Sequence, residues 1–290
     1  FFFQAEDGIR VKECDWSSDV CSSDLYASCT RIIMPTQRVQ LGEWMPDQPA
    51  ISGVLTNAKN VVSAAIGYGP IPSAVAFSGS AAENLLSVYA AKNPDSTTQL
   101  FTAGYTKVYT CDGIGALTQV NTGYTANERP KFTQFGKRVI FANNAEKLQS
   151  WTLGTSTTFA DLSADAPVAK YVTVVRDFVV AANTYETSAQ QQYRVRWCDI
   201  NNETNWTTSS TSQADYQDIP DGGQIVGIRG GEFGLIFLER AIHRMTYIGT
   251  PFIFQFDNIS RNKGCMVAGS IAQYQGITFF LSDEIGRAHV

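Results

Sequence analysis

The feature of this chain that most constrains its fold is a pattern of apolar runs that recurs four times. Each copy opens with a short run of β-branched and aromatic residues, passes through a polar turn, and closes with an alternating run that ends near an aromatic residue. Paired runs bounded by Gly, Asn and Asp are typical of antiparallel hairpins. We therefore predict four hairpins, near Leu100–Thr110, Val139–Trp151, Phe178–Trp197 and Leu235–Tyr247.

Further apolar runs flank these hairpins, so that one repeating unit holds four strands. Runs begin before the hairpins at Leu85, Lys131, Lys170 and Gln224, and another begins at Ser270. A fourth short piece follows three of the hairpins, in ALTQVN, TFADLS and FIFQFDN. The unit recurs every roughly 40–55 residues, which is the period and strand count of a β-propeller blade.

This repeat predicts an all-β protein, a β-propeller-like array of four-stranded antiparallel blades over residues 77–283. It would hold about four blades and the start of a fifth. A single sheet cannot bury both faces, and blades solve this by packing face to face around an axis. A β-sandwich of similar strands is the competing fold, which the even spacing disfavours. Helix signals are weak: Ser80 precedes Glu83 as in a capping box, so at most one helical turn is expected near Ala81.

The segment 34–76 differs from the repeats because it is rich in proline and glycine. Its prolines are Pro35, Pro46, Pro49, Pro70 and Pro72. Proline lacks the N–H that a sheet needs and favours extended chain. We predict an extended N-terminal arm that packs over the propeller or onto a neighbouring molecule.

The two ends of the chain have neither a strand nor a helix period. QAEDGIR with DWSSDVCSSDL near the start, and EIGRAHV at the finish, resemble translated short-read sequencing adapters. The resemblance implies that residues 1–33 are adapter sequence and upstream read-through, and that residues 284–290 are adapter sequence. It also implies that the genuine chain runs from Met34 to about Asp283, with its natural C-terminus missing.

The charge balance of this inner segment argues against a dedicated nucleic-acid binder. The chain has 22 basic and 27 acidic residues; the two ends hold four of the basic and seven of the acidic ones, which leaves 18 and 20. A DNA-binding surface normally shows a clear basic excess.

Three widely spaced cysteines remain, Cys111, Cys198 and Cys265, which predicts reduced, partly buried thiols rather than a disulfide framework or a zinc site. No apolar run is long enough to span a membrane.

Residues that could perform chemistry are few, and no catalytic, cofactor-binding or metal-binding residue is predicted. His243 is the only histidine outside the ends, in an alternating run, and is expected to be structural. Glycosidases need two carboxylates at a set separation. Five acidic residues cluster in the sequence: Asp215, Asp218, Asp221, Glu232 and Glu239. The sequence gives no evidence that any two of them have this separation, and DIPDGG among them is typical of a turn. We therefore expect no enzymatic activity and no cofactor.

The sharpest local motif is RVRWCDINNETNW, Arg194 to Trp206. Its end resembles the Asp-box turn of some propellers, with Asn201 at the Asp place and Glu203 in place of the Gly. Asx side chains such as Asp199 can bond their own backbone and fold the turn, while Trp197 and Trp206 cover it as apolar anchors. We expect a structural turn, and a calcium loop is the alternative.

Longer stretches resemble one family throughout residues Met34 to Asp283. They are GEWMPDQPAISGVLTNAKNVVSAAIGYGPIPSA, FTQFGKRVIFANNAEKLQSW, VRWCDINNETNW, PDGG, FGLIFLER and FQFDNISRNKGC. They are similar to packaged-DNA stabilisation or tail-hub (nozzle) structural proteins of short-tailed bacteriophages. The resemblance implies a virion protein, made in the host bacterial cytoplasm, that attaches below the portal and closes or extends the DNA channel.

The same resemblance implies the partners. They are phage portal or adaptor proteins, other tail proteins, further copies of the chain in a symmetric ring, and packaged DNA in transient, non-specific contact. No membrane partner is expected. An alternative from another class is a carbohydrate-binding or glycan-cleaving β-propeller, which would need exposed aromatic platforms and paired carboxylates around a funnel. A plain propeller scaffold with one partner-binding face is a third option.

Overall fold

The structure is a computed structural model that describes residues 42–45, 48–49, 53–63, 68–126 and 128–283. The predictions for residues 1–33 and 284–290 lie outside the described residues. The chain divides into two compact units between Ala74 and Val75. In the described part of the first unit, Val61–Ser63 (β1) pairs antiparallel with Tyr68–Pro70 (β2), and Trp44 forms a parallel bridge with Leu55. The predicted arm therefore contains a short hairpin.

The second unit is built from four-stranded antiparallel sheets, each with its strands in chain order. Blade 1 comprises β3 (Ser87–Lys92), β4 (Thr98–Ala103), β5 (Lys107–Cys111) and β6 (Leu117–Thr122). Blade 2 comprises β7 (Lys131–Phe135), β8 (Arg138–Ala142), β9 (Gln149–Thr152) and β10 (Ala160–Asp161). Blade 3 comprises β11 (Val168–Val175), β12 (Phe178–Glu186), β13 (Ala189–Trp197) and β14 (Asp215–Asp218).

Blade 4 comprises β15 (Ile225–Arg229), β16 (Gly234–Leu238), β17 (Ile242–Gly249) and β18 (Ile253–Ser260). A terminal hairpin follows, made of β19 (Ala272–Tyr274) and β20 (Ile277–Phe279). The protein is therefore all-β, with a β-propeller-like array of four-stranded antiparallel blades. All four predicted hairpins are confirmed, as β4–β5, β8–β9, β12–β13 and β16–β17.

The blades are arranged so that their first strands face one another. Strand β7 lies against β3 on one side and β11 on the other, and β11 also contacts β15. The second strands are the most buried: every residue of β16 is buried, and so are the first seven residues of β12. Strands covered on both faces are continuously apolar. The fourth strands are the outer edges, and β14 is mostly exposed.

The apolar core runs through the stack of blades rather than through one centre. Phe101 of blade 1 lies edge-on to Trp151 of blade 2, at 5.4 Å between ring centroids. Phe178 of blade 3 lies edge-on to Phe254 of blade 4, at 5.0 Å. Aromatic pairs at these separations contribute about 0.5–1.5 kcal/mol beyond the area that they bury. Edge-to-face aromatic contacts therefore help to hold blade 1 against blade 2 and blade 3 against blade 4.

The weak helix signal near Ala81 has a different explanation. No helix occurs among the described residues. The carboxylate of Glu83 instead accepts hydrogen bonds from the backbone N–H groups of Thr106 and Lys107, the latter at 2.6 Å. The acid that resembles a capping-box residue in the sequence thus caps the β4–β5 turn, because that turn brings unpaired N–H donors to it.

Candidate functional site

The loop after β13 carries the sharpest sequence motif, and its geometry favours a structural turn over a calcium site. Asp199 Oδ1 accepts hydrogen bonds from the N–H groups of Ile200 at 3.0 Å and Gln213 at 2.8 Å. Its second oxygen, Oδ2, accepts one from the side-chain amide of Asn205 at 3.2 Å. Both carboxylate oxygens are thus occupied by protein donors. Among the described residues, no group of three or more acidic, histidine or cysteine side chains is placed to hold a metal ion.

The two tryptophans of this motif anchor the loop from both ends. Trp206 is fully buried, and its indole N–H donates to the carbonyl of Glu203 at 2.8 Å. The indole N–H of Trp197 donates to the carbonyl of Gln213, also at 2.8 Å. A salt bridge of 2.9 Å from Arg138 to Glu203 ties the loop to blade 2. The motif therefore fastens one blade to the next.

The acidic residues that could have formed a catalytic pair have separate, local partners. Asp218 forms a two-point ion pair with Arg194, at 2.8 and 2.9 Å, and this hydrogen-bonded partner lowers the pKa of Asp218. Glu232 lies 3.6 Å from Arg176, and Glu239 accepts a hydrogen bond from Gln224 at 2.9 Å. These three carboxylates are thus engaged by basic or amide partners that lie near them in the fold.

His243 is a buried histidine on the second hairpin of blade 4. Its Nε2 lies 3.2 Å from the side-chain amide nitrogen of Asn258, on the neighbouring strand β18. Burial lowers the pKa of His243, and the nearby Asp221 opposes that shift in part. Burial thus favours the neutral form of this ring.

We expect His243→Gln to reduce the loss of stability in mild acid. The pKa of His243 is lower in the folded protein than in the unfolded chain. As the pH falls below about 6.5, His243 is therefore protonated in the unfolded chain before it is protonated in the folded protein. The stability contributed by neutral His243 is fully present above that pH and is lost as the pH falls toward the folded pKa. Urea unfolding of both proteins at about pH 7.5 and about pH 5.5 measures the difference. An identical loss in the variant would contradict the prediction.

The three inner cysteines are free and buried. Burial is the main reason that the pKa of Cys198 rises to about 12. Since the thiolate is the reactive form, this thiol is unsuited to act as a nucleophile at neutral pH. Its packing next to Trp197 makes it part of the blade 3 core.

Two exposed apolar features were not predicted from the sequence. The tip of the β17–β18 hairpin carries Phe252, which is 74% exposed, near the half-exposed Ile248. On blade 1, a groove of about 360 Å³ is lined by apolar side chains including Phe77, Leu85 and Val88. Exposed apolar clusters mark surfaces that contact other molecules. Local patterning identifies such residues as apolar and does not show which of them the fold leaves uncovered.

The sequence matches no family model and no curated protein. Among solved structures, the chain is similar to BBS1N crystallised in complex with ARL6DN. In a lead-soaked crystal the TM-score is 0.41 at 12% identity, over 74% of this chain and 65% of that chain. In a mercury-soaked crystal the TM-score is 0.41 at 12% identity, over 67% of this chain and 61% of that chain. This chain thus covers less than two thirds of either structure. Among the described residues, no helix is long and apolar enough to cross a membrane.

Proposed function

We propose that this chain is a bacteriophage virion structural protein that attaches below the portal, closes or extends the DNA channel, and retains packaged DNA. The observation that carries the proposal is the resemblance to tail-hub (nozzle) proteins over Met34 to Asp283. Its motifs are framework elements: one spans β7 to β9, another leads from β13 into the Trp206 loop, and a third forms β16. Stacked sheets of this kind suit the rigid wall of a channel.

The proposed partners follow from the same assignment. Portal or adaptor proteins lie above the protein, other tail proteins lie below it, and further copies complete a symmetric ring. A near-neutral surface suits transient contact with packaged DNA, because each phosphate neutralised by Lys or Arg strengthens binding and slows sliding. The proposed location is the tail at the portal vertex of the virion.

The apolar tip of the β17–β18 hairpin is the surface that we propose for contacts between subunits or with the portal. Phe252 projects from a tight hairpin, where it can enter a pocket on a neighbour without rearrangement of the sheet. Aromatic residues that fill such pockets commonly contribute most of an interface's affinity. Ile114, which is 87% exposed at the β5–β6 turn, is a matched apolar residue elsewhere in the unit.

We expect Phe252→Ser to weaken assembly at least roughly thirtyfold, because loss of an aromatic anchor costs about 2 kcal/mol or more. The chain is co-expressed with the portal protein encoded in the same genome, and native mass spectrometry measures ring and portal complexes. Ile114→Ser is the control, and it should assemble normally. If the unmodified chain forms neither a ring nor a portal complex, the channel function is wrong. Specific binding on a glycan array would then favour the carbohydrate-binding alternative.

A further inference from the structure

A cavity of about 320 Å³ lies where the first strands of the four blades converge. We call it the axial cavity. All four of these strands contribute polar residues to its wall: Tyr89 from β3, Lys131 and Thr133 from β7, Tyr171 and Thr173 from β11, and Arg229 from β15. The cavity therefore exists only when the blades are assembled. Its volume is at the lower end of the range of about 300–1,000 Å³ for small-molecule sites.

The positive charge in this cavity is only partly compensated. The ammonium group of Lys131 makes no ion pair or hydrogen bond with any described residue. Burial and the neighbouring guanidinium groups of Arg129 and Arg229 lower its pKa, and Glu128 offsets only part of this effect. The Glu128 carboxylate is already paired with Lys170, at 2.5 Å. Like charges gathered in a half-buried site cost stability unless something neutralises them.

Two further hydrogen-bond donors, Arg229 and Tyr171, line the cavity. One guanidinium nitrogen of Arg229 donates to the carbonyl of Ile271 at 2.5 Å, which holds the side chain in place and leaves its other N–H groups unused by that bond. The hydroxyl of Tyr171 makes no hydrogen bond with any described residue, although the residue is buried. Ammonium, guanidinium and phenol groups together suit a tetrahedral oxyanion.

We propose that the axial cavity binds a small phosphate-bearing anion, with Lys131 and Arg229 as its charged contacts and Tyr171 as a hydroxyl donor. The ligand would neutralise the excess positive charge and accept the unused hydrogen bonds. The size of the cavity assigns the site to a small anion rather than to a nucleic-acid chain. The site does not depend on the role of the protein in the virion.

The test measures binding of inorganic phosphate and of pyrophosphate to the full chain by isothermal titration calorimetry. We expect one site per chain. Lys131→Met should weaken binding roughly tenfold or more, because it removes a charge-assisted contact. The control is Lys137→Met, which removes an exposed lysine from the β7–β8 turn of the same blade and should leave the affinity unchanged.

A thermal measurement separates binding from damage to the fold. Without ligand, Lys131→Met should melt at the same temperature as the unmodified protein or higher, because the replaced charge is partly buried among other cations. Pyrophosphate should raise the melting temperature of the unmodified protein and of Lys137→Met, and not that of Lys131→Met. If Lys131→Met fails to fold, Arg229→Gln provides the same comparison.

Three results would overturn the proposal. The first is no binding of either anion by the unmodified protein. The second is equal binding by Lys131→Met, or an equal loss in Lys137→Met, because either would place binding outside the axial cavity. The third is that a short DNA duplex, at matched salt, displaces pyrophosphate and binds the unmodified protein but not Lys131→Met. That result would make the site a contact for nucleic acid instead.

Discussion

Replacement of Trp206 by Ala is expected to lower the free energy of unfolding by about 3–5 kcal/mol, the range for a fully buried aromatic side chain. Trp206 is completely buried, and it fills the space between the loop after β13 and the core of blade 3. Its indole N–H holds the carbonyl of Glu203, and its own carbonyl accepts a hydrogen bond from Arg196 at 2.8 Å. Truncation leaves a cavity and removes the donor to the Glu203 carbonyl.

Chemical denaturation followed by circular dichroism measures this change. Tyr274→Ala is the control, since Tyr274 is an aromatic residue in the terminal hairpin that is 68% exposed. Its truncation should change stability by less than about 1 kcal/mol. An unfolding free energy for Trp206→Ala within 1 kcal/mol of the unmodified protein, on the scale of a surface substitution, would show that the loop does not anchor blade 3.

The second large effect is expected at Gly230, where blades 3 and 4 meet. A Cβ atom at this position would lie 1.8 Å from the carbonyl oxygen of Val174, which is backbone and cannot rotate away. The adjacent Gly231 exchanges backbone hydrogen bonds with blade 3, through the carbonyl of Val174 at 3.1 Å and the N–H of Arg176 at 2.9 Å. Gly230→Ala should separate these strands and cost about 3 kcal/mol or more.

The matched control for this substitution is Gly113→Ala. A Cβ atom at Gly113 meets nothing within 4 Å, and the backbone there does not have a positive φ. This variant should be neutral or slightly more stable, because alanine restricts the unfolded chain. Melting temperatures of the two variants give the comparison. If both glycines tolerate alanine equally, the close approach of blades 3 and 4 is wrong.

The strands that the sequence predicted best are those whose signals are local. The hairpin of β12 and β13 was predicted within Phe178–Trp197. Its two apolar runs and the polar turn between them follow one another directly in the sequence, so the signal is local. Strand β14 was not predicted. It is short and polar, it follows the loop 198–214, and it is a strand only because Asp215–Asp218 pairs with Arg194–Trp197. Pairing with a distant segment overrides weak local preference in such cases.

The same difference between local signals and contacts of distant residues applies to the candidate sites. Local reasoning treated His243 and the Asp199 turn as structural, because their residue types lack nearby partners for catalysis or metal binding in the sequence. It did not identify Lys131 and Arg229 as neighbours. They lie on the first strands of blades 2 and 4, with blade 3 between them in the chain. Only convergence of the first strands brings their charges to one cavity.

The sequence by itself determined the all-β class, the repeating four-strand unit and the positions of the hairpins. These depend on alternation and turn residues, which act over a few neighbouring positions. The tertiary structure decided which apolar residues stay exposed, as at Phe252, and which polar ones gather, as around Lys131. It also decided that Glu83 caps a turn in place of a helix. Those outcomes depend on how the blades pack, because burial and charge proximity are properties of residues distant in the chain.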